Sequence, residues 1–184
     1  MALGRYICNF IGGPWWRDPA KSGGQIVEQS THAVDLLRFL CGDIVRVSSE
    51  MDTRYWNEEE GMGVEDVSTT ALRFSSGAVG SMIATTGGYP NRWMLDVSVF
   101  TKKAVIDIPE VNTIKINWNR DGIREESHST PTDLSLEESR HFLGAIRDDT
   151  DTITPISEGA KSLAVTLAIR RSGLGEGPQD VPQL

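Results

Sequence analysis

Cysteine is scarce in this chain. Cys8 and Cys41 are the two among 184 residues, with no C-x-x-C pair and no histidine beside them at metal-ligand spacing. That excludes a disulfide scaffold or a zinc module, and with no Asn-x-Ser/Thr sequon it fits a reducing cytoplasm. Positive charge is also short: 18 Lys and Arg stand against 26 Asp and Glu, a formal net charge of −8. Nucleic-acid backbones and anionic membrane surfaces are therefore poor partners. The opening MALGRYICNFIGG has neither the charged start nor the long apolar core of a signal peptide. No apolar run approaches the ~20 residues that span a bilayer.

Several catalytic signatures are missing as well. A dinucleotide cradle needs G-x-G-x-x-G between a strand and a helix, so that backbone N–H groups can hold the pyrophosphate. Gly61-Met62-Gly63 is followed by Val64-Glu65-Asp66, without the third glycine, and the glycines at 173, 175 and 177 follow the last helical pattern. There is no G-x-x-x-x-G-K-[ST] loop, no G-x-S-x-G elbow and no H-E-x-x-H. His128 and His141 stand alone, in a polar loop and near a helix start, and read as structural or exposed.

What is present describes one globular domain. Hydrophobic residues make up 39% and charged residues 24%, ordinary values for a packed protein, and the length suits a single sizeable core. Residues 3–10 read as a short strand. Residues 44–55 alternate apolar and polar and suggest a long one. WNEEEGMG is an acidic surface loop. The clearest hairpin is VEDVSTTALRF, Ser75-Ser76-Gly77, AVGSMIATT. WMLDVSVF and AVIDI flank Thr101-Lys102-Lys103 as a second, and VNTIKINW and GIREES flank Asn119-Arg120-Asp121 as a third. Residues 134–147 then read as a helix with Leu136, Phe142, Leu143 and Ile146 on one side and Asp133 near its start. Residues 157–172 read as another, with Leu163, Val165, Leu167, Ala168 and Ile169 inward, followed by a turn and tail. Helix, many strands joined by short turns, then helices: the order predicts an α+β fold with a largely antiparallel sheet. One face packs on helices; the other is open, either solvated or docked on a second subunit.

Residues 22–42, SGGQIVEQSTHAVDLLRFLCG, read as one helix around which the chain is organised. Ser22 and Gln25 form an S-x-x-Q capping box, and Gly42 fits the left-handed position past the end. Val27, Val34, Leu37 and Cys41 make an apolar stripe. Glu28, His32 and Asp35 recur at i, i+4 and i+7, within an arc of about 60° on another face. Such a column either decorates a wetted surface or builds a site. Gly23-Gly24 lets something approach the helix start closely, where the backbone attracts anions and polar oxygens. The preceding loop carries Trp15, Trp16, Arg17 and Asp18, which suit a polyhydroxylated ligand or, equally, roof a small core.

Taken together, the Trp-bearing loop, GGQIVEQSTHAVDLLRFLCGDIVRV, VEDVSTTALRFSSGAVGSM and EESRHFLGAIRDD resemble the C-terminal domain of the glucose–fructose oxidoreductase / inositol dehydrogenase / rhizopine-catabolism family. The most specific part is GG-x-x-x-E-x-x-x-H-x-x-D-L, and the likeness runs nearly the full length. It implies a dihydrodipicolinate-reductase-like C-terminal fold, an open sheet packed on one face by helices. It also implies a partner Rossmann domain binding NAD or NADP, oxidation of a hydroxyl on a sugar, inositol or related polyol, and dimers or tetramers formed through the sheet. His32 takes the position of the family's histidine at the reacting hydroxyl. Glu28 replaces an acid that is usually Asp, and Asp35 matches the acid three residues on. Trp15, Trp16, Arg17 and Asp18 would shape the substrate pocket.

The family's Glu-Lys-Pro lysine and its Rossmann glycines have no counterpart here. Residues 1–184 are therefore expected to form one substrate-binding and oligomerisation domain without its dinucleotide-binding half, holding no cofactor and inactive alone. Two other readings stand beside this: a non-catalytic self-associating scaffold module, and a metal site on Glu28, His32 and Asp35.

Overall fold

The computed structural model describes residues 1–119 and 123–184; the turn expected at Asn119-Arg120-Asp121 lies in part outside them. Nine strands form one sheet in the spatial order β8-β7-β6-β5-β1-β4-β3-β2-β9. In chain order these are β1 (Ala2–Ile7), β2 (Ile44–Asp52), β3 (Val67–Phe74), β4 (Val79–Thr85), β5 (Met94–Phe100), β6 (Ala104–Glu110), β7 (Thr113–Asn119), β8 (Ile123–Ser129) and β9 (Gln179–Asp180). Every neighbouring pair is antiparallel except β1 and β4. That parallel pair needs a crossover, which the helices and β2–β3 supply. The fold is α+β with a largely antiparallel open sheet, as expected.

Among the described residues five α-helices accompany the sheet: α1 (Pro14–Arg17), α2 (Gly24–Glu28), α3 (Thr31–Cys41), α4 (Leu134–Asp148) and α5 (Ile156–Arg171). The core lies between one sheet face and α2, α3 and α5. Ile26, Val34, Leu37, Val165 and Ile169 meet Tyr6, Val47, Leu72, Phe74, Met82 and Val97 there, all buried. Alternation explains the choice of face: in β1, Ala2, Gly4 and Tyr6 point to the helices while Leu3 and Arg5 point away. Gly4 matters because a Cβ there would meet the Leu37 side chain. At ~1.5–3 kcal/mol for each fully buried large aliphatic side chain, this layer holds the crossover together.

Four expectations are corrected. Residues 22–42 are not one helix; α2 and α3 are separated at Gln29 and Ser30. The capping box does not form: Ser22 Oγ accepts from Gly24 N at 3.0 Å, and the fully buried Gln25 amide has no hydrogen-bond partner among the described residues. In α5 the inward residues are Val165, Ala168 and Ile169, while Leu163 and Leu167 face outward. The tail is not merely a turn, since Gln179 and Asp180 pair with Val47 and Arg46 as an edge strand.

The apolar side of α4 is equally unlike a packed helix. Leu136, Phe142, Leu143 and Ile146 are exposed, and Ala145 alone on α4 is buried. Asp133 does cap this helix, its Oδ1 accepting from Leu136 N at 3.1 Å. Asp133→Ala is expected to cost about 1 kcal/mol locally. Hydrogen exchange should accelerate in the first turn of α4 with little change in the global melt; unchanged exchange there would refute the cap.

Candidate functional site

One end of the sheet gathers the candidate residues. β1 and β4 finish there side by side, with Ile7 opposite Thr85. The chain then crosses the end of β1 on its way to β5. Gly88 N donates to Cys8 O at 2.8 Å and Asn9 Nδ2 donates to Gly88 O at 3.1 Å. A Cβ at Gly88 would strike Ile7 and the Cys8 carbonyl, so glycine permits the crossing. The crossing brings Trp93 to 6.3 Å from Tyr6, ring centre to ring centre and nearly perpendicular, and to 5.8 Å from Phe10.

His32 lies at the first turn of α3, exposed, with its ring stacked on Tyr6 at 6.5 Å and 27°. The Tyr6 phenol is pushed up to about 12, by burial first and by neighbouring Cys8 second. It therefore stays protonated through the physiological range.

Of the two carboxylates, Asp35 shares α3 with His32, three residues on, while Glu28 belongs to α2. Glu28 ends α2, is exposed, and its Oε1 accepts from Gly23 N at 3.2 Å. Asp35 Oδ1 accepts from Ser162 Oγ on α5 at 2.6 Å and lies 3.5 Å from Arg38. The break between α2 and α3 puts Glu28 on a different helix from His32 and Asp35. The start of α2 is held from far along the chain. The Glu65 carboxylate accepts from Ile26 N at 2.9 Å, and a Cβ at Gly24, where φ is +76°, would fall on that carboxylate. What approaches the glycines closely is thus the protein's own Glu65, with Val27 against Gly23. Among the described residues no group of three His, Cys, Asp or Glu is gathered to hold a metal ion.

Burial pushes the Glu65 carboxyl above its ordinary range, and the Ile26 N–H counters this only in part. A carboxyl with a raised folded pKa stabilises the fold fully below its ordinary pKa and loses that contribution as pH rises through the raised value. Glu65→Gln should therefore flatten the pH dependence. Relative to the variant, the wild type loses melting temperature as pH rises from the ordinary carboxylate range through the raised value. Parallel melting curves at all pH values would refute this.

The Trp loop divides. Trp16 is 3% exposed, with a Cβ at Gly12 unable to fit beside it, so it roofs the core. Trp15 is 55% exposed. Arg17 binds inside the loop region, its Nε donating to Gly12 O at 3.1 Å and its guanidinium to Glu60 O at 3.2 Å. Asp18 Oδ1 accepts from Ala20 N at 2.9 Å, and Lys21 lies 3.0 Å away. That backbone contact, then Lys21, holds its carboxyl below the usual range. Arg17 and Asp18 thus tie the loop together. Sequence reasoning missed Tyr6, Phe10 and Trp93; the available signal was an aromatic-bearing loop, GGYPNRW, between two strands.

Two of the glycines outside the G-x-G-x-x-G pattern are closely packed. Gly63 is filled against Pro19 and the Arg17 carbonyl, and Gly173 against Met51. Neither opens a phosphate-sized loop at a helix start.

Comparison with known proteins bears on all of this. The family model for the GFO/IDH/MocA C-terminal domain matches residues 5–107. The chain belongs to this family. No curated protein matches it by sequence. Among solved structures, levoglucosan dehydrogenase in complex with NADH and L-sorbose superposes at TM-score 0.88 and 20% identity, covering 100% of this chain and 58% of that one. An oxidoreductase domain protein from Kribbella flavida gives 0.84 at 20% identity, over 99% and 58%. An oxidoreductase from Agrobacterium radiobacter, in complex with NAD+, L-tartaric acid and magnesium, gives 0.77 at 16% identity, over 97% and 56%. These identities establish a shared fold, and the present chain spans under three-fifths of those chains' lengths. In this GFO/IDH/MocA domain, His32 lies on α3, which packs against β1. No helix among the described residues is long and apolar enough to cross a membrane.

Proposed function

We propose that this chain is the substrate-binding half of an NAD(P)-dependent oxidoreductase acting on a hydroxyl of a sugar, inositol or related polyol. The observation that carries the reading is the exposed imidazole of His32, stacked on Tyr6 at the aromatic end of the sheet in a chain of this family. Oxidising a carbinol requires the hydroxyl proton to leave, and a fixed imidazole can accept it. Tyr6 limits how that ring can turn. Glu28, exposed nearby in sequence, is the acid available to substrate hydroxyls; Asp35 acts through its tie to α5.

The dinucleotide, NAD or NADP, supplies the hydride acceptor and is held by a Rossmann domain that residues 1–184 do not contain. The exposed Leu136, Phe142, Leu143 and Ile146 of α4 support such a partner, because an amphipathic helix with its apolar side uncovered normally rests on something. A cleft of about 890 Å3 opens between α4 and the chain entering α5, lined partly by Phe142, Ile153 and Ile156. The outer sheet face supports self-association: Leu3, Val79, Ile83 and Phe100 are exposed there around the Arg5–Asp96 pair.

The test joins the chain to a Rossmann domain of its family, by fusion or co-expression. NAD(P)-dependent oxidation across a panel of sugars and polyols should appear with the pair and be absent with the chain alone. A folded pair that oxidises nothing in the panel would overturn the reading. Were the chain to self-associate in sedimentation yet bind no polyol, the scaffold-module reading would replace it.

A further inference from the structure

The aromatic residues at this end form a connected series, Phe10–Trp93–Tyr6–His32, each ring within 6.5 Å of the next. Its inner member is buried and its outer members are not: Tyr6 is 6% exposed, Phe10 45% and Trp93 59%. The exposure does not come from a loosely held loop. Besides the two bonds across the end of β1, Gly87 N donates to Thr85 Oγ1 at 2.9 Å and Asn9 pairs with Gly87. Two large aromatic surfaces are thus fixed in water, one ring removed from the imidazole, and tilted 42° to each other as an open wedge.

We propose that Trp93, with Phe10 beside it, is a stacking platform that selects ring-closed sugars over open-chain polyols. The inference rests on the reading of the site given above and narrows its substrate class. A chair-form ring presents a flat patch of axial C–H groups that an aromatic face covers without desolvating hydroxyls. Its torsions are already fixed. An open-chain polyol scatters its C–H groups and must freeze several torsions to lie flat, an entropic cost that weakens binding. Hydroxyls at the ring edge then reach toward His32, the next ring beyond Tyr6. Trp93 is therefore a specificity-determining residue, and Tyr6 positions the imidazole between platform and solvent.

The experiment uses the 184-residue chain with methyl β-glucopyranoside, whose ring hydrogens are all axial, and glucitol as probes. Binding is read by saturation-transfer NMR and titration. The pyranoside should bind about tenfold more tightly, with saturation strongest on its ring hydrogens. Trp93→Ala should abolish that preference and Trp93→Phe should retain most of it. Trp93 is largely exposed, so both variants should fold, which the melting curve checks. Equal affinity for the two probes, or an unchanged preference in Trp93→Ala, overturns the platform. If both probes bind equally and His32→Ala weakens both, the platform fails while the sugar site stands. If neither probe binds, platform and site fall together.

Discussion

On the proposed reading, replacing His32 by alanine in the chain joined to a Rossmann domain of its family is expected to lower turnover by about 10²–10⁴-fold. The magnitude follows from the role: without a positioned acceptor, the hydroxyl proton must leave to water in the same step in which the carbon loses hydride. Substrate affinity should change far less, because stacking and hydroxyl contacts lie on other residues. The pH profiles of the wild type and of the variant's small residual rate should differ. Tyr6 sharpens the test. Its phenol is held protonated up to about 12 by burial and by Cys8, so it cannot stand in as the base. Tyr6→Phe keeps the stacked plate and should leave turnover within a few-fold. Tyr6→Ala frees the imidazole and should reduce turnover more than affinity. An active His32→Ala enzyme with an unaltered pH profile would remove the imidazole from the reaction.

The carboxylates separate by the same assay. If the helical column built the site, Asp35→Asn would cost as much turnover as His32→Ala. The coordinates tie Asp35 to Ser162 and Arg38 instead, so its loss should appear mainly in stability.

Much of the sheet was legible because its cause is local. The 64–86 hairpin announces itself by alternation and by Ser75-Ser76-Gly77, and Gly77 indeed adopts a positive φ of 82° at that turn. Gly42 likewise ends α3 with a φ of 91°, its N–H donating to Arg38 O. The break between α2 and α3 was not legible in the spacing, and neither was the contact that holds the start of α2, since Glu65 lies 39 residues from the Ile26 N–H that donates to it. A helical periodicity runs through GQIVEQSTHAV whether or not a distant carboxylate pins its start. The outward face of α4 misled for a related reason: an apolar stripe says that something covers it, not that this chain does. His32 was legible from its spacing and resemblance, whereas its aromatic neighbours come from two separate segments, residues 3–10 and the 86–93 crossing. Only the crossing at 86–93 brings Trp93 beside Tyr6 and Phe10.

Arg38 carries the largest expected effect on stability. Its side chain is 4% exposed, yet it lies on the helix that bears His32 and reaches across to α5. One guanidinium nitrogen donates to Ser162 Oγ at 2.7 Å and Glu158 O at 3.1 Å. The other donates to Asp43 Oδ1 at 2.8 Å and Glu158 Oε2 at 2.9 Å. Arg38→Ala should destabilise the fold by about 3 kcal/mol, the low end for breaking a buried ion pair, because the three carboxylates left behind are partly exposed and can rehydrate. For a chain of this size that is a melting-temperature loss of about 6–12 °C. Arg38→Lys should recover a minority of it, since one ammonium cannot reproduce a planar fork serving four acceptors. The pH dependence has a definite sign. Lys161 first, and then Arg38, hold the Glu158 carboxyl below its usual range. Its contribution is present above the ordinary carboxylate pKa and is lost as pH falls through the lowered value. The gap between wild type and Arg38→Ala should therefore narrow in acid. A loss below about 1 kcal/mol, the ordinary yield of a surface pair, would show that α3 is held to α5 by its apolar contacts alone.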